Sequence, residues 1–207
     1  MKHRKIFAFL AAAVAAMVPV LTARAQENMS STPPAPTKEE MMARWREAAT
    51  PGDAHKHLEL FVGTWTVSAK SWMNGPDQPP EESKGKAVYE MVFGGRYLRQ
   101  EFSGSMMEQP FNGVGYTGYD NFNKKYTSFW IDNSGTAMST MEGNTDDDGK
   151  TIVLTGKMDD PVSGVRNKDV KYVLHVIDRN KHVFEVFDLT SVGDKNPVLQ
   201  LTYTRSE

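Results

Sequence analysis

From Gly63 to Arg205 the apolar residues of the chain recur at every second position in short segments, and this alternation constrains the fold more than any other feature. Ten such segments are read, at 63–73, 84–93, 95–103, 111–119, 124–132, 135–144, 150–158, 168–178, 181–190 and 197–205. Turn chemistry separates them: Asn74-Gly75, Gly94-Gly95, Asp120-Asn121, Asn133-Ser134-Gly135, Asp147-Asp148-Gly149, Asp178-Arg179-Asn180 and Gly193-Asp194. No helical stretch interrupts the series. Parallel pairing needs a long crossover, so links this short make neighbouring strands antiparallel. A meander of ten strands leaves two unpaired edges unless the sheet closes. The spacing therefore predicts an all-β fold, a ten-stranded antiparallel up-and-down barrel, with a two-sheet sandwich as the alternative.

Alternation also predicts which side chains face inward. One face takes Trp65, Val67, Ala69 and Met73, continued by Ala87, Tyr89, Met91 and Phe93. Ile152, Leu154 and Met158 follow, then Val170, Tyr172, Leu174 and Val176, and lastly Leu199, Leu201, Tyr203 and Arg205. The segment at 124–132 is not assigned, because Tyr126, Ser128 and Trp130 compete with Thr127, Phe129 and Ile131. Eight strands give a barrel that side chains just fill. Ten should leave a cavity, lined by Met and aromatic side chains and plugged at one end by what precedes it.

What precedes it divides into three parts. Met1 to Lys5 is basic, Ile6 to Val18 is an apolar run of thirteen, and Ala23-Arg24-Ala25 supplies a small-residue cleavage site. This is the layout of a signal peptide over residues 1–25, and the run is too short to span a bilayer. Residues 26–37, rich in Pro and polar side chains, read as a disordered tether. Residues 38–62 read as two helices, at 38–48 and 54–61. Thr37 and Glu40 form a capping box for the first, Asp53 caps the second, and the first helix carries Met41, Met42, Trp45 and Ala49 on one stripe. The barrel domain is 63–207. The full chain of 207 residues has 24 Lys+Arg against 26 Asp+Glu. Removing the leader takes away Lys2, Arg4, Lys5 and Arg24 and no carboxylate, leaving an acidic protein that is a poor match for nucleic acid or anionic lipid. The absence of Cys excludes disulfides and thiolate-held metals.

Gly63-Thr64-Trp65 at the head of the first strand resembles the G-x-W signature of lipocalins and other calycin barrels. The resemblance implies that Trp65 closes the barrel floor and that Arg205, from the last strand, lies across it. A wider set of segments resembles the bacterial exported family known as domain of unknown function 1579. It comprises His57-Leu58, Gly94-Gly95-Arg96-Tyr97-Leu98, Gly113-Val114-Gly115-Tyr116-Thr117-Gly118-Tyr119-Asp120, Tyr126 to Asp132, Glu142-Gly143, Leu154-Thr155-Gly156 and Tyr203-Thr204-Arg205. This resemblance covers about residues 55 to 205. It implies a calycin-like barrel and export, and supplies no catalytic residue.

No motif dictates a reaction. His55 and Glu59 have the spacing of two ligands on a helix, but a solvated face explains them better. His175 is placed outside the barrel by parity, which disfavours a haem-ligating role, and His182 is read as an exposed turn residue. Asp146 to Gly149 reads as a hairpin turn rather than a calcium loop. Glu101, Glu142 and Glu185 lie mid-strand and would suit acid–base catalysis only if two of them faced inward together. The reading that results is an exported, soluble barrel, more a carrier than an enzyme, that binds a small apolar or amphipathic molecule. Trp65, Tyr89, Met91, Gln100, Tyr116, Trp130, Tyr172, Tyr203 and Arg205 are expected to line the site. No cofactor, metal, nucleic acid or membrane span is expected, and the sequence sets no oligomeric state. The alternatives are a barrel enzyme acting on a small molecule and a haem- or gas-binding barrel of the nitrobindin type.

Overall fold

The structure is a computed structural model and describes residues 35–72, 75–146 and 149–206. The signal-peptide reading, most of the tether, Met73, Asn74 and Asp147-Asp148 lie outside the described residues. Two helices come first, α1 (Lys38–Ala49) and α2 (Asp53–Leu58), with a 3₁₀ turn over Glu59–Phe61. Ten strands follow: β1 (Gly63–Ser71), β2 (Glu81–Val92), β3 (Tyr97–Met106), β4 (Gln109–Asp120), β5 (Lys125–Asp132), β6 (Ser139–Thr145), β7 (Thr151–Asp160), β8 (Val165–Asp178), β9 (Lys181–Asp188) and β10 (Leu199–Arg205). Each pairs antiparallel with its sequence neighbours, and β1 pairs with β10, so the sheet is a closed barrel. The sandwich alternative is thereby excluded. Closure leaves no strand edge unpaired.

Short carboxylates set several of the turns. Asp120 accepts the N–H groups of Phe122 and Asn123, Asp160 those of Val162 and Ser163, and Asp188 those of Thr190 and Ser191. Each folds the chain back on its own side chain at a strand end. The connection after β5 is longer than the Asn-Ser-Gly turn expected there, since β6 begins only at Ser139.

The register fixes a continuous inner surface. Trp65 stands opposite Ala87 and Arg205, Val67 opposite Tyr203, and Tyr203 opposite His182. On the unassigned strand, Tyr126, Ser128 and Trp130 are the inward set, because Ser128 pairs with buried Met141 while Ile131 is exposed. Phe93 departs from the expected inner face. It sits in the β2–β3 turn at φ 52° and is 74% exposed.

Burial divides the barrel into two halves. At one end, Leu58 and Phe61 enter the barrel mouth and pack with Trp65, Val67, Tyr89 and Tyr203, all buried. Tyr126 ties this plug to the wall by donating its hydroxyl to Ala54 O (3.0 Å). Gly52 precedes α2, and its N–H donates to His55 Nδ1 (3.1 Å); Asp53, expected as the cap, is the first helical residue and pairs instead with Lys56.

The first helix plays no part in this plug. α1 buries no residue, and its apolar stripe is open, with Met41 51%, Met42 44% and Trp45 64% exposed. Asn121 Nδ2 grips the C-terminal end of α1, donating to Glu47 O, Ala48 O and Thr50 O (3.4, 3.2 and 2.7 Å). These are carbonyls that an ending helix leaves without an internal partner. Asn121→Ala should therefore release α1, seen as faster proteolysis within 38–49, while lowering barrel stability by no more than about 1 kcal/mol.

The outer face carries ion pairs, among them Lys70–Glu82, Arg99–Glu90, Lys125–Glu142 and Lys157–Asp169. Exposed pairs of this kind add little stability. Their position still matters, because a lipid-facing barrel presents an apolar band there. Among the described residues, no helix is long and apolar enough to cross a membrane.

Candidate functional site: the barrel lumen and its floor

The floor is built on Trp65. Its indole Nε1–H donates to Phe61 O (2.8 Å), which fixes the plug to the first strand. The Arg205 guanidinium lies over the indole at 4.2 Å. It also donates to Val62 O and Arg179 O, both at 2.8 Å. Gly63 takes a backbone conformation (φ 134°) that side chains rarely adopt, and a Cβ there would strike the guanidinium. The glycine, the tryptophan and the arginine therefore make one unit.

Above them lies His182, 2% exposed, and neither ring nitrogen has a hydrogen-bond partner. It stacks on Tyr203 at 4.2 Å and meets Trp65, Phe61 and Tyr89 edge to face. Burial, aided by the Arg205 charge, pushes its pKa down to about 3. Burial likewise pushes the Tyr203 hydroxyl up to about 12 and that of Tyr89 well above its ordinary value. Gln100 Nε2 donates to the Tyr203 hydroxyl (3.3 Å) and is half-buried, so this contact marks the boundary between floor and lumen.

The other half of the barrel is less deeply buried. Phe102, Trp130, Tyr172, Phe184 and Leu201 occupy inward register positions and yet all keep intermediate exposure. The wall explains how such large side chains fit beside one another. Trp130 lies flat over Gly113 and Gly115, and Phe102 over Gly85 and Gly104. These rings lean on bare backbone instead of standing out toward the axis. A Cβ on Gly115 would come within 2.8 Å of the Trp130 ring, and one on Gly113 closer still. Gly113→Ala should therefore push the indole into the lumen. The expected cost is about 1–3 kcal/mol in urea unfolding, with a changed Trp emission.

Polar groups gather at the open mouth. Trp130 Nε1–H donates to Asp132 Oδ2 (2.8 Å), and Ser134 donates its N–H and hydroxyl to Asp132 Oδ1. The Tyr172 hydroxyl reaches Met158 Sδ (3.4 Å), and the Asp132 charge helps burial to raise its pKa. Lys168 sits between Asp188 and Asp160, forming an ion pair with each.

A family model described as "Protein of unknown function (DUF1579)" matches residues 50–205. The chain belongs to that family. The match takes in α2, the 3₁₀ turn and every strand, and leaves out α1. No curated protein matches the chain. Among solved structures the chain is similar to a redesigned β-barrel, at 17% identity and a TM-score of 0.38, over 73% of this chain and 96% of that one.

In this DUF1579 barrel the expected site residues fall into three groups. Trp65, Tyr89, Tyr203 and Arg205 belong to the sealed floor, with Met91 beside it. Gln100, Trp130 and Tyr172 face the lumen. Tyr116 does neither. It pairs with Phe129 on the outer face, where the two rings stack at 5.3 Å. They help line an external groove of about 1100 Å³ with Tyr97, Thr127, Thr140 and Thr155. The reason for the misplacement is that the inner face of β4 carries Gly113 and Gly115 where an apolar alternation would be read. His182, expected to be exposed, is among the most buried residues. Its parity with Phe184 and Val186 on β9 was the signal for that. His175 lies outside, hydrogen-bonded to Thr151 (2.8 Å). Glu101, Glu142 and Glu185 also face outward, Glu101 bound to Arg99, Glu142 to Lys125 and Glu185 to Gln200. The mid-strand carboxylates thus form no interior acid–base pair.

Proposed function

We propose that this DUF1579 member is an exported carrier that binds a small apolar or amphipathic molecule in the outer half of its barrel. The observation that carries the reading is the contrast in burial between a sealed floor and inward-facing rings that solvent still reaches. Partly open aromatic walls with a few convergent polar groups are the usual make-up of a small-molecule site. The ligand's apolar body would lie against Trp130, Tyr172, Phe102 and Phe184. Gln100 at the bottom and the mouth carboxylates at the top supply polar contacts that orient it. Export is supported by the basic, apolar and small-residue succession of residues 1–25.

The external groove favours a second reading, in which ligand packs on the stacked Tyr116 and Phe129. Titration with the fluorescent probe N-phenylnaphthylamine separates the two. Lumen binding predicts enhanced probe emission, weakened about tenfold by Trp130→Ala and untouched by Tyr116→Ala. The reverse pattern would move the site to the groove, and no enhancement at all would end the carrier reading.

A further inference from the structure

The charges around the lumen mouth limit what kind of amphiphile could enter. Three carboxylates occupy strand ends there, Asp132, Asp160 and Asp188. The cation among them, Lys168, is only 13% exposed and is shared between Asp188 and Asp160. Asp132 has no cationic partner among the described residues. Its three hydrogen bonds come from Trp130 and Ser134, which are neutral donors and leave its negative charge in place. Arg205, the cation on the inner face at the other end, is held under the floor by two backbone carbonyls and Trp65. A carboxylate head would therefore meet net negative charge among these inward-register groups, whose one cation is already shared by two carboxylates. A cationic head would meet a carboxylate that accepts the Trp130 indole N–H and lies near enough to the Tyr172 phenol for its charge to act there. That combination suits an ammonium group both by charge and by attraction to ring faces.

Resting on the carrier reading, we infer that the lumen selects an amphipathic cation, an amine or quaternary ammonium with an apolar body, and rejects fatty carboxylates. Asp132 holds the head group, and the Trp130 and Tyr172 rings flank it.

Calorimetric titration with decyltrimethylammonium and with decanoate, which share an apolar chain, tests this directly. The cation should bind about tenfold or more tightly than the anion. Asp132→Asn should bring the two within about twofold of each other while the anion gains affinity. Asn keeps one acceptor oxygen for Trp130 or Ser134. Added salt supplies a second measurement on the unaltered protein, since screening should narrow the preference. Equal affinity for the two amphiphiles, or a preference for decanoate, would overturn the charge selection and leave the carrier reading standing. Binding of neither would overturn both.

Discussion

Acidification from pH 7 to pH 4 is expected to cost the barrel about 3 kcal/mol through His182 alone, at 1.36 kcal/mol for each unit of displaced pKa. Its folded pKa of about 3 lies below the ordinary imidazole value of 6.5. Above that ordinary value the ring is neutral in both states and imposes no penalty. As pH falls below it, the unfolded chain takes up a proton that the folded floor refuses, so stability declines until the folded pKa is reached. Urea unfolding at a series of pH values measures the slope. A His182→Phe variant should lose that share of it, whatever repacking does to its stability at pH 7. His55 and His57 are also shifted downward by burial and contribute in the same direction, so some slope will remain. An unchanged slope in the variant would mean that water or a counter-charge reaches the ring.

The floor tolerates such a ring because of what surrounds it. A neutral imidazole still carries one N–H donor, and no oxygen or nitrogen accepts it here. Trp65, Phe61 and Tyr89 stand nearly perpendicular to the imidazole, an arrangement in which a ring face can serve as a weak acceptor. The residue therefore works as packing with a built-in acid weakness.

The strands were legible because alternation and turn chemistry are local. Trp65, Val67 and Ala69, or Leu199, Leu201 and Tyr203, declare their face within one segment. β4 and β5 did not, and the cause is a division of labour between them. The ring that fills the inner face of β4 is Trp130, borne by β5, so β4 reads as glycine and β5 as amphipathic on both sides. His182 was misjudged because a histidine beside a turn is usually solvated, and only the three-dimensional convergence of four aromatic rings makes this one dry. The mouth carboxylates follow the same logic. Asp132 and Asp188 fall inside the segments read as strands, at 124–132 and 181–190; they also make turns, and the register that aims them at the lumen spans strands far apart in sequence. α1 shows the opposite failure. Its stripe of Met41, Met42 and Trp45 looks like a buried face, yet the plug is formed by α2 and the 3₁₀ turn.

Trp65→Ala should be the most damaging single change in the floor, costing about 3–5 kcal/mol in urea unfolding. Three losses combine. The indole is 1% exposed, so its removal leaves a cavity beneath His182 and Phe61. Phe61 O loses its donor, and Arg205 loses the ring beneath it. Arg205→Met should cost less, about 1–3 kcal/mol, because it leaves the ring in place and strips the donors from Val62 O and Arg179 O. The double variant should fall short of the sum by about 0.5–2 kcal/mol, the share owed to the cation over the indole. The tryptophan variant also checks the account of the acid weakness. A cavity that admits water would let His182 charge inside the fold, so its pKa should climb back toward 6.5 and the pH slope should flatten, though the histidine itself is untouched. A slope as steep as in the unaltered protein would mean that the remaining rings, and not the indole, keep the floor dry.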